Sequence, residues 1–245
     1  MRVVITGASY GLGKALAIKY GKNGYDLILI ARSEEKLNEV KEELNNVKVD
    51  IYPYDLTKNP IELANKLVNT YTDIRILINN AGIGIAGDVI NHNPIKENEL
   101  IDLNIKALTD FSIIFGKHFK EKNIGSIINI SSVASYLPGP YIASYYASKA
   151  YVSSFSYSMS LELKGTNVNV LAVNIPRVDT NFDKNANRVN KLKKGKNPNI
   201  IADKIYRLTN KRGIKNIGLE TKLTNVINHI FPKSFLSKII GKRLK

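Results

Sequence analysis

The sequence predicts an α/β fold, a single doubly wound domain on a parallel sheet that runs on into a basic helical C-terminal extension. Three observations lead there. Short, continuously apolar runs alternate with segments of helical period through the first 175 residues, the pattern of strands covered on both faces by crossover helices. A glycine-rich turn, Thr6-Gly7-Ala8-Ser9-Tyr10-Gly11-Leu12-Gly13, joins the first run to the first helix. A chain of 245 residues, 44% hydrophobic, is long enough for one sizeable core, and neither an internal repeat nor a domain linker divides it.

The elements follow in order. Arg2–Thr6 reads as a short strand and Gly11–Asn23 as a helix. Tyr25–Ala31 is a second apolar run, and Ser33–Leu44 a charged helix with Ser33 as N-cap. Val47–Tyr54 is a third strand ending at Asp55, Asn59–Tyr71 a helix, and Ile74–Asn79 a fourth strand. A long helix is expected over Glu97–Lys120, then a strand at Gly125–Ser131, a helix at Ser144–Leu163 and a sixth strand at Asn167–Ile175. This core, residues 1–180, is followed by a polar, lysine-rich stretch at 181–197 that reads as a mobile substrate lid. The extension, 198–245, holds a helix at Pro198–Arg212 and two amphipathic stripes: Leu219, Leu223, Val226, Ile227 and Ile230, then Phe235, Leu236, Ile239, Ile240 and Leu244.

Composition removes several function classes. There is no cysteine, hence no disulfide, thiolate nucleophile or thiolate metal site. His92, His118 and His229 lack ligand spacing, so no metal site is expected. No run of 18 apolar residues is present, and strand pattern starts at Arg2 without room for a signal peptide; a soluble cytoplasmic protein is expected. The net charge of +15 is lopsided. Residues 184–245 hold 17 Lys or Arg against only Asp203 and Glu220, which accounts for the whole excess. No nucleic-acid recognition motif accompanies this charge, so nucleic-acid binding is not expected. A solvated basic face is favoured over an anionic partner. The two stripes are expected to pack on the domain or on a neighbouring subunit of a homo-oligomer. The other reading places them at a lipid surface with Phe235, Leu236 and Ile240 inserted.

Glycines between a first strand and a first helix permit a tight turn and let a pyrophosphate approach the N–H groups of a helix N-terminus. Gly7-Ala8-Ser9-Tyr10-Gly11 also fits the nucleophile elbow Gly-x-Ser-x-Gly, but an elbow follows several strands and only one precedes Ser9. A triphosphate-binding loop fails at Ala8 and Ala15. At the end of the second strand a carboxylate would suit a ribose 2′-hydroxyl, and a basic residue a 2′-phosphate. The residues there are Arg32 and Ser33, so NADP(H) is favoured over NAD(H).

Tyr145 and Lys149 stand four residues apart, on one helical face, with Ser132 thirteen residues before the tyrosine. A free phenol has a pKa of about 10, and a fixed ammonium one turn away favours its ionised form. Such a pair suits proton transfer to or from a carbonyl or alcohol oxygen near neutral pH.

With these pieces in place, residues 2–180 resemble the short-chain dehydrogenase/reductase family, whose domain is of Rossmann type. Thr6–Gly13 matches its Thr-Gly-x-x-x-Gly-x-Gly motif, Asn79-Asn80-Ala81-Gly82 its Asn-Asn-Ala-Gly segment, and Ser132, Tyr145 and Lys149 its Ser and Tyr-x-x-x-Lys at the usual spacing. The resemblance implies NADP(H)-dependent hydride transfer between nicotinamide and a carbonyl or secondary alcohol. It makes Tyr145 the general acid/base, Ser132 the group that polarises the carbonyl, and Lys149 the ligand of the ribose hydroxyls. Asn104 would hold a water in a proton relay, and Asp55 would contact the adenine. Gly7, Ser9, Tyr10, Gly11, Leu12, Gly13, Arg32, Ser33, Asn80, Ala81, Gly82, Pro176, Val178 and Thr180 would complete the cofactor contacts. A non-catalytic cofactor sensor on the same scaffold is the alternative; it would need the glycines but not the acid. One residue departs from the family: Arg177 follows Pro176 where glycine is usual. An apolar lid suggests an apolar ketone or acyl substrate.

Overall fold

The computed structural model describes residues 1–182, 186 and 195–244. Most of the expected lid, residues 183–185 and 187–194, lies outside the described residues. One sheet of seven parallel strands has the order β3-β2-β1-β4-β5-β6-β7. Its strands are β1 (Arg2–Thr6), β2 (Asp26–Ala31), β3 (Val49–Pro53), β4 (Ile74–Asn79), β5 (Gly125–Ser132), β6 (Val168–Ile175) and β7 (Gly213–Asn216). The helices between them are α1 (Gly11–Gly21), α2 (Glu34–Glu42), α3 (Pro60–Thr70), α4 (Pro94–Ile101), α5 (Leu108–Glu121), α6 (Ala143–Glu162) and α7 (Pro198–Tyr206). α8 (Leu219–Ile230) and α9 (Lys233–Leu244) follow β7.

Successive side chains of a strand point to opposite faces, so each apolar run feeds two cores. Val3 and Ile5 of β1 join Leu16, Tyr20 and Leu37 on the face covered by α1, α2 and α7. Val4 between them joins Phe111, Phe115 and Phe119 of α5 on the other face. The tight fit shows at Gly125, where a Cβ would lie 2.3 Å from the Phe119 ring. The fully buried Tyr20 finds its partner 189 residues away, the Thr209 hydroxyl at 2.7 Å.

The six anticipated strands form within a few residues of their expected bounds, and Ser33 caps α2, accepting from the Lys36 N–H at 3.4 Å. Two expectations are corrected. The single long helix at 97–120 is α4 and α5 joined by a π-helical segment, Asp102–Ala107. The helix expected to reach Arg212 stops at Tyr206, and Gly213–Asn216 adds a seventh strand against β6. These four residues form a strand because the β6 edge offers them a hydrogen-bonding partner, not because they carry an apolar pattern. Residues 198–216 are thus built into the sheet and its covering layer. The apolar stripe of α8 does not pack on its own domain: Leu219, Leu223, Val226, Ile227 and Ile230 are all exposed in the single chain. In α9 Phe235 and Ile239 face outward while Leu236 is buried and Ile240 borders the cleft, so the trio expected to insert in lipid is split between two sides. The side chain of Leu244 lies outside the described residues.

Candidate active site

Strand order reverses between β1 and β4, and at such a switch point the carboxyl ends of the strands leave a crevice. Thr6 ends β1 and holds this edge together. Its Oγ1 accepts from the Asn80 and Ala81 N–H groups, each at 3.0 Å, while Asn80 Nδ2 donates to the carbonyls of Thr6 (3.0 Å) and Gly7 (3.2 Å). The turn that follows has no room for a side chain at Gly7 or Gly13. Gly7 sits at φ +66°, where a Cβ would lie 2.9 Å from Ala81 Cα; a Cβ on Gly13 would lie 2.0 Å from the Gly7 carbonyl oxygen. Tyr10 precedes α1 without a side-chain cap, and the first turn has no acidic residue, so bare N–H groups border the crevice.

The crevice is a cleft of about 650 Å³. Five interstrand steps of about 4.8 Å separate β3, which leads to Asp55, from β6, which leads to Pro176, so the cleft runs roughly 24 Å across the sheet edge. The fit to a dinucleotide is therefore a bare-backbone strip, an open helix N-terminus and length, all in one place. Gly7, Ser9, Tyr10, Gly11, Leu12, Gly13, Arg32, Asp55, Asn80, Ala81, Gly82, Ser132, Tyr145, Lys149, Pro176, Val178 and Thr180 all border it. Two expected residues do not appear in its lining. The Ser33 hydroxyl caps α2, accepting from the Lys36 N–H at 3.4 Å. Asn104 stands behind the wall, fully buried in the π-helical segment, where Nδ2 donates to the Ile83 carbonyl (2.8 Å) and Ser148 Oγ (3.1 Å) and Oδ1 accepts from the Ile83 N–H (2.9 Å). The wider turn of a π-helix is what aims this side chain at the loop after β4.

At the far end, burial alone would raise the Asp55 carboxyl. Two hydrogen bonds from Thr57, at 3.0 and 2.8 Å, and the nearby Arg32 and Lys58 hold it below the usual carboxylate range instead. At the near end α6 carries Tyr145 and Lys149 into the cleft. Lys149 Nζ donates to the Ile130 carbonyl at 2.9 Å and lies 5.8 Å from the centre of the Tyr145 ring. It is almost wholly buried, and that desolvation pushes its ammonium down to about 8. The two serines at the end of β5 have different surroundings. Ser131 Oγ bonds the Lys149 carbonyl (2.9 Å) and Ser153 Oγ (2.8 Å), tying α6 to the sheet. Ser132 Oγ lies on the other side of the strand, accepting only from the Ala134 N–H among the bonds observed, at 3.1 Å.

Arg177 borders the cleft and its backbone is not strained. Among the described residues only Asn123 and Tyr141 combine a side chain with positive φ, so the position does not require glycine. Its carbonyl accepts from the Lys196 N–H and the Asp179 N–H donates to the Lys196 carbonyl, both at 2.8 Å, which holds the segment in place. Other lining residues had no local signal. Phe182 packs 5.0 Å from the Tyr145 ring, and Glu220, Thr224 and Ile240 come from α8 and α9 to roof the near end. Among the described residues no group of three or more His, Cys, Asp or Glu is arranged to hold a metal.

Residues 1–191 match the family described as short chain dehydrogenase. The chain is 35% identical to sulfoacetaldehyde reductase 2 of Chromohalobacter salexigens over 74% of its own length and 73% of that protein. A short-chain dehydrogenase from Sphingobium yanoikuyae in complex with NADPH superposes with a TM-score of 0.85 at 27% identity, covering 96% of this chain and 94% of that one. A bulky-bulky ketone specific alcohol dehydrogenase from Comamonas testosteroni gives 0.81 at 27% identity, covering 97% and 93%.

Proposed function

This chain belongs to the short-chain dehydrogenase family, and from that premise we propose that it is an NADP(H)-dependent oxidoreductase that interconverts an apolar ketone or acyl carbonyl and its secondary alcohol. Hydride-transfer activity on carbonyl or alcohol substrates follows from the family. The observation that carries the assignment of roles is the meeting of Ser132, Tyr145 and Lys149 at one end of a cleft whose other end offers Arg32.

When bound, the nicotinamide supplies or takes the hydride. Gly7, Gly11 and Gly13 with the α1 N-terminus are suited to the pyrophosphate, Asp55 to the adenine, and exposed Arg32 to a 2′-phosphate. The Sphingobium relative, bound to NADPH, agrees with that preference. In reduction, Ser132 Oγ donates a hydrogen bond to the carbonyl oxygen and the Tyr145 hydroxyl gives it a proton as the oxygen gains charge. Buried Lys149 favours the phenolate left behind, because opposite charges attract more strongly out of water. Asn104 positions the wall from behind through Ile83 and Ser148. In oxidation each proton moves the other way.

The near end is lined by Val133, Leu137, Tyr146, Phe182 and Ile240, which supports an apolar substrate. The test is NADPH oxidation with a panel of ketones, aldehydes and 3-oxoacyl thioesters. Tyr145→Phe is expected to lower kcat by about 10²–10⁴-fold with NADPH affinity retained. Equal turnover by wild type and variant refutes the proton-transfer role.

A further inference from the structure

α8 is mounted with its apolar side outward. Thr221 is fully buried, and Thr224, Asn225 and Asn228 lie on the same inner side, a half turn from Leu219, Leu223, Val226 and Ile230. Leu219 is 72% and Ile230 66% exposed. The inner side is not well served by this choice: Thr221 Oγ1 and Asn228 Oδ1 are buried without a hydrogen-bond partner among the described residues. A helix free to roll would bury the leucines and wet the asparagines. The apolar surface continues through Phe231, just past α8, onto α9, where the Phe235 ring stands 6.2 Å from that of Phe231 and Ile239 extends the row. α9 is held in this attitude by its other side: Leu236 is buried, and Gly241 packs where a Cβ would lie 3.3 Å from Pro140. An exposed apolar strip of this extent marks a contact surface.

From this arrangement we infer that α8 and α9 form a docking face for an anionic lipid bilayer. Charge selects the occupant. Lys222, Lys233, Lys238 and Lys242 are exposed around the strip, and the one acidic residue of the two helices, Glu220, borders the cleft. Two copies of this face brought together would oppose lysine to lysine, whereas an anionic headgroup layer meets the lysines while its acyl boundary takes the leucine, isoleucine and phenylalanine side chains. The inner sides of the same helices supply Thr224 and Ile240 to the cleft, so a docked bilayer lies beside the cavity. Docking itself is independent of the catalytic reading; delivery of an apolar substrate from the bilayer rests on it.

The experiment is flotation of the full chain with vesicles of phosphatidylglycerol and phosphatidylcholine, beside vesicles of phosphatidylcholine alone. Binding is expected to the anionic vesicles and to weaken with salt. Lys238→Glu should lower vesicle affinity by at least fivefold, at roughly fivefold per lysine charge removed. Leu223→Asp with Phe235→Asp should lower it more than tenfold while NADPH binding, which these residues do not contact, stays unchanged. Absence of wild-type binding at low salt overturns the proposal, whatever the variants do, and so does binding that the variants leave intact. Sedimentation equilibrium without lipid supplies the remaining outcome: an assembly that dissociates in the Leu223→Asp protein would assign the face to a second copy of the chain instead.

Discussion

Lys149 is a charge buried in the apoprotein beside a single carbonyl, and that makes it titratable through stability. Burial takes its pKa from 10.5 to about 8, and at about 1.4 kcal/mol per unit this corresponds to roughly 3 kcal/mol. The sign follows from proton counting. Below pH 8 the folded and unfolded chains both hold the proton, and the folded chain bears the full cost of an enclosed ammonium. Between pH 8 and 10.5 the unfolded chain holds more protons than the folded one, so stability rises with pH. By pH 9.5 the gain should be about 2 kcal/mol, a shift near 0.7 M in the urea midpoint for a slope of about 3 kcal/mol per M. Burial holds the phenols of Tyr20 and Tyr71 above their ordinary value, and their contribution is lost only as pH rises beyond 10, so the range stops short of them. The assay is urea unfolding of the apoprotein at pH 7.5 and 9.5, wild type beside Lys149→Met, which keeps the stem but not the charge. The difference in stability between the two proteins should shrink or invert toward wild type by that 2 kcal/mol. Parallel pH dependences would show that the ammonium is not desolvated, and the account of how it favours a phenolate would fail with it.

Three further substitutions separate roles that adjacent residues hold. Ser131→Ala should cost about 1–3 kcal/mol of stability and leave turnover within a few-fold, because its hydroxyl ties α6 to β5; Ser132→Ala should instead cost turnover with little loss of melting temperature. The opposite pattern in paired melting and rate measurements would reverse the assignment. Arg32→Asp should weaken NADPH binding about 10- to 100-fold relative to NADH, the worth of one or two charge-assisted bonds; an unchanged ratio in titrations of both cofactors removes Arg32 from the phosphate site. Gly13→Ala would place a Cβ 2.0 Å from the Gly7 carbonyl oxygen, so the turn must open, and NADPH affinity should fall by at least tenfold in a fluorescence titration. Wild-type affinity in that variant would mean the tight turn is not what holds the nucleotide.

Arg177 shows how a departure from a family pattern is to be weighed. Glycine at such a position suggests a backbone that only glycine can adopt, yet here the φ angle is one any residue accepts. The departure therefore leaves the run of the chain unchanged and puts an arginine, in place of a glycine, among the residues that border the cleft.

What the sequence determined by itself is what short-range pattern can encode. Short, continuously apolar runs and the helical period between them were enough for six strands and their order along the chain. The glycine turn and the Tyr145–Lys149 register could be read because each lies within one or two turns of backbone. Tertiary structure decided what depends on neighbours far along the chain. β7 exists because β6 has an open edge, Asn104 leaves the cleft wall because a π-turn re-aims it, and Ser131 is separated from Ser132 by which side of β5 faces α6. The tail shows the limit most plainly. Hydrophobic spacing marks which side of α8 is apolar, but the direction that side faces is set by the packing of Thr221, Leu236 and Gly241 against the domain.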